Sequence, residues 1–272
     1  MLEHLALNIF SIFVQASIGI MIFVFIAKLI NKEAMYRIAL ITALVLGGVG
    51  LLASMFHLGT PLNGTNSLNN FATSWLSKEI WFSAIFAVLA LVATVGAFVK
   101  NSSLVLIGAG LAAIVGLVDV FAMASVYTFA SVPAWQSIAT MGEFFTATIA
   151  MGGVLFFLLG GKDALFMKKA GSIAVIIAVA VQAVFIVLGY IGIAASGSAA
   201  AAASMTMLND LVFANIVKWA FILAGAIALF LPKEGKSSVA LIGSATGLMF
   251  VGQFVGRYVF YAIMTVITVG LV

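Results

Sequence analysis

Eight runs of apolar residues, each long enough to cross a bilayer, use up almost the whole sequence: about 7–28, 37–57, 79–99, 103–128, 136–160, 170–194, 211–231 and 238–270. A hydrocarbon core roughly 30 Å thick is crossed by about 20 helical residues. Within it only helices and closed barrels satisfy their own backbone polar groups. Runs of this length predict helices, so the fold class is an all-α integral membrane protein, a bundle of eight transmembrane helices with no soluble domain. Composition agrees: 7% of the residues are charged, against about 25% in an ordinary soluble domain.

The breaks between the runs are chemically sensible. Asn31-Lys32-Glu33 separates the first two spans. Gly59 and Pro61 stop the second, as a left-handed cap and a residue that cannot continue a helix. Pro133 opens the fifth span, and Pro232 with Gly235 closes the seventh. The longer loops, 58–78 and 195–210, follow spans two and six. Four spans plus four of like orientation are compatible with a parallel duplication into two four-helix halves, although no residue-level repeat is visible. The Ala-rich stretch Ser196–Ser204 is a helical extension or a spacer.

Orientation follows from the basic residues, because Lys and Arg in short loops stay on the cytoplasmic side. Lys28, Lys32, Arg37, Lys100, Lys162, Lys168, Lys169, Lys233 and Lys236 sit in or beside the loops after odd-numbered spans, and only Lys78 lies on the other side. Nine against one places both termini outside. The net charge of +4 is therefore a topology signal rather than a nucleic-acid surface. Met1-Leu2-Glu3-His4 has no basic n-region, which argues against a cleaved signal peptide.

The protein has no Cys and only two His, His4 and His57. It offers no thiolate ligands for a metal or iron–sulfur cluster and no His pair for a haem. Electrons handled here cannot travel along a series of redox centres within this polypeptide.

Six charges remain in or near the spans: Glu79, Asp119, Glu143, Asp210, Lys218 and Arg257. All fall in the outer half of the membrane or at its outer surface on the topology above. A charge at mid-membrane costs about 2.5–3.5 kcal/mol on insertion scales, so this clustering marks a polar structure. Trp75, Trp81, Trp135, Trp219, Tyr127, Tyr190, Tyr258 and Tyr261 also lie toward the outside, and only Tyr36 toward the inside. That asymmetry points to an outer docking surface or ligand pocket, or to a one-sided interfacial belt.

His57 ends span two, and Glu79 falls in the first turn of span three with Ser77 as its N-cap. Both have plain helix-end roles. Together an imidazole and a carboxylate at the lipid edge can also accept the protons that leave a hydroquinone on oxidation. Arg257, about a dozen residues short of the end of span eight, needs a partner, and Asp119 and Glu143 are at plausible depth for an ion pair. Thr140-Met141-Gly142-Glu143 also fits a capping box. Gln253, four residues before Arg257, shares its helix face. Gly243/Gly247 and Gly252/Gly256 are small-xxx-small packing pairs, and Lys218 can snorkel to the surface.

The segments Phe56-His57-Leu58-Gly59-Thr60-Pro61-Leu62, Asn66-Ser67-Leu68-Asn69 and Ser74-Trp75-Leu76-Ser77-Lys78-Glu79-Ile80 resemble the membrane anchor subunit of anaerobic dimethyl sulfoxide reductase. Gly256-Arg257-Tyr258-Val259-Phe260-Tyr261 resembles the same family. The resemblance implies a haem-free subunit in a prokaryotic inner membrane that oxidises menaquinol to menaquinone. Its implied partners are an iron–sulfur electron-transfer subunit and a molybdopterin catalytic subunit. His57 and Glu79 match the family's quinol-site His and Glu, and Gly59 and Ser67 match further positions of that loop. The sequence departs at Asn63 and Thr65, where relatives can carry Arg and Phe.

The expectation is thus a quinol pocket between spans two, three and neighbouring helices near the outer surface. His57 and Glu79 are its proton acceptors, and Gly59, Ser67, Arg257, Asp119, Glu143 and Trp81 shape it, with Arg257 and Asp119 organising rather than reacting. No metal site and no nucleic-acid contact are expected. Two other readings remain open on the residues alone, a secondary transporter and a purely structural anchor. The near absence of charge from the inner half counts against the transporter.

Overall fold

Lipid offers no hydrogen bonds to a backbone, so each apolar run closes its own amide–carbonyl ladder. A computed structural model describes the backbone of residues 2–55, 69–231 and 235–266, and the side chains of 5–55, 69–231 and 238–266. The helices are α1 (Leu2–Ile30), α2 (Arg37–Met55), α3 (Trp75–Phe98), α4 (Ser102–Thr128), α5 (Ile138–Leu159), α6 (Lys162–Leu165), α7 (Lys168–Ala195), α8 (Ala199–Asp210), α9 (Val212–Phe230) and α10 (Gly235–Ala262). Eight are long and apolar enough to span a membrane, all except α6 and α8.

The spans pack as two rings of four. In one, α1 meets α2, α2 meets α3, α3 meets α4, and α4 returns to α1; in the other, α5, α7, α9 and α10 repeat this order. The rings join where α1 lies on α5, flanked by α4 on α5 and α10 on α1. Consequently α1 and α5 are 72% and 78% buried over their spans, against 28–50% for the other six. Gly19 and Gly152 make that junction possible. A Cβ on Gly152 would stand 2.2 Å from the Gly19 Cα, and one on Gly19 would stand 2.2 Å from the Thr148 carbonyl oxygen. The two backbones touch, as small residues permit in helix pairs. Four residues on, Phe23 stacks on Phe156 at 5.9 Å.

The end of the bundle where α1, α3, α5 and α9 finish is held by basic side chains. Lys28 is fully buried and donates to the carbonyls of Lys32 and Ala34. Arg37 Nε donates to Ala97 O at 2.9 Å, and Lys168 Nζ to Leu231 O at 3.3 Å. Cations there satisfy C-terminal carbonyls and oppose the negative helix ends. The opposite end, the terminal end, is where α1 starts and α10 finishes.

Several element boundaries differ from the sequence expectation. Helix α3 starts at Trp75 because Ser74, rather than Ser77, is the N-cap, with its side chain accepting from Ser77 N. The loop 195–210 holds a helix of its own, α8, capped by Ser198. Ser204 of α8 donates to Ile263 O at 2.8 Å and so seals the end of α10. That helix finishes at Ala262, which leaves Arg257 five residues from its end rather than a dozen. Gly235 opens α10 and does not close the preceding helix. The capping box at Thr140–Glu143 does not form: Ser137 caps α5, and Thr140 donates to Trp135 O. Gly252 and Gly256 pack tightly against α9, whereas Gly243 and Gly247 meet no close neighbour.

Candidate functional site

Because α3 begins at Trp75, Glu79 lies beyond the first turn and faces inward, 5% exposed. Ser83, four residues on, shares its face and is 1% exposed. Together with Phe10 of α1, Leu51 and Ser54 of α2, and Leu76 and Ile80 of α3, they line a cleft of about 50 Å³ at the terminal end. As closed, that volume suits one or two waters. Its walls are apolar apart from Ser54, Glu79 and Ser83.

Below the cleft, Ser83 Oγ donates to Asp119 Oδ2 of α4 at 2.6 Å. Asp119 is fully buried, and its Oδ1 has no hydrogen-bond partner among the described residues. Glu79 and Asp119 lie within electrostatic reach of each other. Antiparallel packing of α3 on α4 creates the juxtaposition: Gly96 and Gly108 bring the helices together, and Gly116 makes room for Ile18 of α1 and for Phe86, one turn below Ser83.

A second polar group joins α1 to α10. Arg257, 2% exposed, donates from Nη2 to Gln15 Oε1 at 3.0 Å and lies 3.7 Å over the Phe144 ring. Its Nε and Nη1, and Gln15 Nε2, have no partners among the described residues. Buried donors of this kind are normally satisfied by protein, water or ligand. The Tyr127 and Tyr261 hydroxyls pair at 2.8 Å within electrostatic reach of both Glu79 and Arg257. Around them Trp135 stacks on Phe260 at 5.2 Å and donates from Nε1 to its carbonyl. The arrangement can hold polar oxygen atoms and exchange protons at a carboxylate. Among the described residues no three His, Cys, Asp or Glu side chains gather as a metal site would require.

The family model described as DMSO reductase anchor subunit (DmsC) matches residues 1–263. The protein belongs to this family. It is similar to the C subunit of anaerobic dimethyl sulfoxide reductase from Escherichia coli K12, 31% identical over 277 residues that cover 96% of this sequence and 95% of that one. The C subunit of the Haemophilus influenzae reductase is 27% identical over 274 residues, 96% of this sequence and 95% of its own. The YnfH subunit of an E. coli K12 anaerobic dimethyl sulfoxide reductase is 29% identical over 232 residues, 82% and 80% respectively. Membership of an anchor-subunit family implies catalytic and electron-transfer partners.

The anchor's remaining candidate residues divide sharply. Glu143 does not meet Arg257; it pairs with Lys218 at 3.4 Å. Lys218 does not snorkel, being 2% exposed, because its stem runs over Gly256, where a Cβ would stand 2.7 Å from Lys218 Cε. This pair lines a separate cleft of about 40 Å³ between α5, α7, α9 and α10, with Thr140 and Tyr190. Gln253 does not extend the arginine network either; it exchanges amide hydrogen bonds with Gln182 at 2.9 and 3.0 Å. Trp81 is 43% exposed and absent from the cleft wall, two residues and therefore about 200° around α3 from Glu79. Asp210 is exposed at the end of α8. His57, Gly59 and Ser67 lie outside the described residues. Sequence reasoning passed over Ser83 and Gln15. The i,i+4 spacing from Glu79 could have found Ser83, whereas nothing local marks Gln15.

Proposed function

We propose that this anchor oxidises menaquinol at the Glu79 cleft and delivers the electrons to an iron–sulfur subunit, which feeds a molybdopterin subunit reducing a sulfoxide. The observation that carries this reading is a nearly buried carboxylate, Glu79, in the wall of an otherwise mostly apolar cleft between α1, α2 and α3. A quinol head is a flat apolar ring with a hydroxyl at each end, so it needs apolar walls and a proton acceptor at one edge. His57, two residues beyond the last described residue of α2, is the proposed acceptor at the other edge. Gly59 and Ser67 follow His57 within ten residues of sequence. A ring-sized pocket requires several times the closed volume, so Leu51, Leu76 and Ile80, each only half-buried, turn aside as the ring enters from lipid.

The sequence holds no Cys and a single His beside the N-terminal one, so the electrons pass straight to a cluster in the partner. That partner docks over the terminal end. With the basic loops cytoplasmic, this end faces outward across a prokaryotic inner membrane, and the quinol's protons are released there. Relatives named for dimethyl sulfoxide reductase support this class of terminal acceptor.

The test uses the purified complex and a fluorescent, non-oxidisable quinol analogue. Glu79→Gln keeps the size and loses the basicity, so it should leave the subunits assembled while quinol-dependent sulfoxide reduction falls at least ~100-fold. Wild-type turnover in Glu79→Gln, or no analogue binding to the intact complex, overturns the proposal. His57→Gln, with the same expected outcome, tests the second acceptor.

A further inference from the structure

Oxidation of a quinol releases two protons with its two electrons, and Glu79 and His57, the proposed acceptors at the two ring edges, hold one each and must be cleared before the next turnover. The structure supplies a second route from the same cleft. Ser83 lines it one helical turn below Glu79, is buried, and already donates its hydroxyl hydrogen to Asp119 Oδ2 at 2.6 Å. A hydroxyl has one hydrogen and two lone pairs. With the hydrogen committed to Asp119, Ser83 can only accept from a group in the cleft.

We infer that Ser83 and Asp119 form a proton relay in which Ser83 Oγ accepts a proton from a quinol hydroxyl while its own proton passes to Asp119 Oδ2. The step balances. The quinol O–H bond breaks and a new Oγ–H bond forms; the old Oγ–H bond breaks and Asp119 gains the proton. Serine ends as it began, and the two electrons leave singly to the iron–sulfur cluster of the partner subunit. Asp119 holds the proton on Oδ2, its Oδ1 having no partner among the described residues, and returns it through Ser83 to the cleft and solvent by the reverse step once the oxidised ring has left. The assignment rests on quinol binding at this cleft and gives Asp119 a reacting part where the sequence suggested only an organising one.

A purely structural tie between α3 and α4 is the competing account. Those helices are already joined along Gly96 and Gly108, and a buried carboxylate is an expensive fastener where apolar side chains of the same volume would pack. The test measures quinol oxidation and analogue binding in the whole complex for Asp119→Asn, Asp119→Glu, Ser83→Ala and Ser83→Thr. Asparagine still accepts the Ser83 hydrogen bond but takes no proton. Asp119→Asn should therefore keep KM and analogue affinity while kcat falls at least ~10-fold. Asp119→Glu and Ser83→Thr should recover much of the rate, and Ser83→Ala should not.

An unchanged kcat in Asp119→Asn overturns the relay, as does loss of analogue binding in step with turnover, which marks a structural tie. If Asp119→Asn does not assemble, the serine variants decide: a slow Ser83→Ala beside a fast Ser83→Thr supports the relay, and two fast variants refute it. Absence of analogue binding to the wild-type complex is a different failure, because it removes the quinol site itself.

Discussion

Replacing Lys218 by Met should destabilise this anchor strongly, because it strands a buried carboxylate outside the quinol cleft. The Lys218–Glu143 pair is separated by 3.4 Å, with side-chain exposures of 2% and 11%. At an effective dielectric of about 20, charges at that distance attract by roughly 5 kcal/mol, and their desolvation offsets much of this. Removing one partner is different, because it strands the other charge: breaking a buried pair costs about 3–5 kcal/mol. Methionine keeps an unbranched stem over Gly256, so packing is preserved and the loss reports on charge. The expected fall in the thermal midpoint is roughly 10 °C, read by heating the detergent-solubilised complex and following its loss by fluorescence-detected size exclusion. Glu143→Gln should cost a similar amount. Combining the two should recover most of the stability, because two buried polar ends have been exchanged for neutral ones. A loss below about 1 kcal/mol in Lys218→Met, or a double variant as unstable as the two singles added together, would refute the pairing.

Three further outcomes test the packing and the site. Gly152→Ala places a methyl 2.2 Å from the Gly19 Cα, so the two rings must move apart, and the complex should lose about 1–3 kcal/mol of stability; an unchanged midpoint contradicts the described crossing. Gln253→Leu leaves the Gln182 amide buried without its partner and should cost about 1–3 kcal/mol, whereas the double change with Gln182→Leu should be nearly neutral. The third outcome combines catalysis and packing: Glu79→Gln should stop quinol oxidation in an assembled complex, while the Lys218→Met and Glu143→Gln double variant, altered in the other ring, should retain it.

Much of the fold is legible in the residues. The span centres follow from hydrophobic runs alone, because lipid forces each run into a helix regardless of its neighbours. Boundaries were less legible. Ser74 and Ser77 are both acceptable N-caps, and the choice between them moves Glu79 from the helix entrance to the cleft wall. Likewise Ser196–Ser204, almost featureless in its functional groups, gains meaning only when Ser204 reaches Ile263 O across 59 residues.

The sequence determines which charges this protein carries into the membrane and that they gather toward one end, because a charge in lipid is costly wherever the helix sits. It does not determine their partners. Depth along a helix can be counted from the residue order, but the direction in which a side chain faces depends on which helix lies alongside. Gly19 against Gly152 sets α1 on α5, and Gly256 makes room for Lys218. Those contacts give Glu143 to Lys218, Gln253 to Gln182 and Arg257 to Gln15, and leave Asp119 to Ser83 beneath Glu79. Only the tertiary structure could make that assignment, since each partner comes from a different helix, 36 to 242 residues away in the sequence.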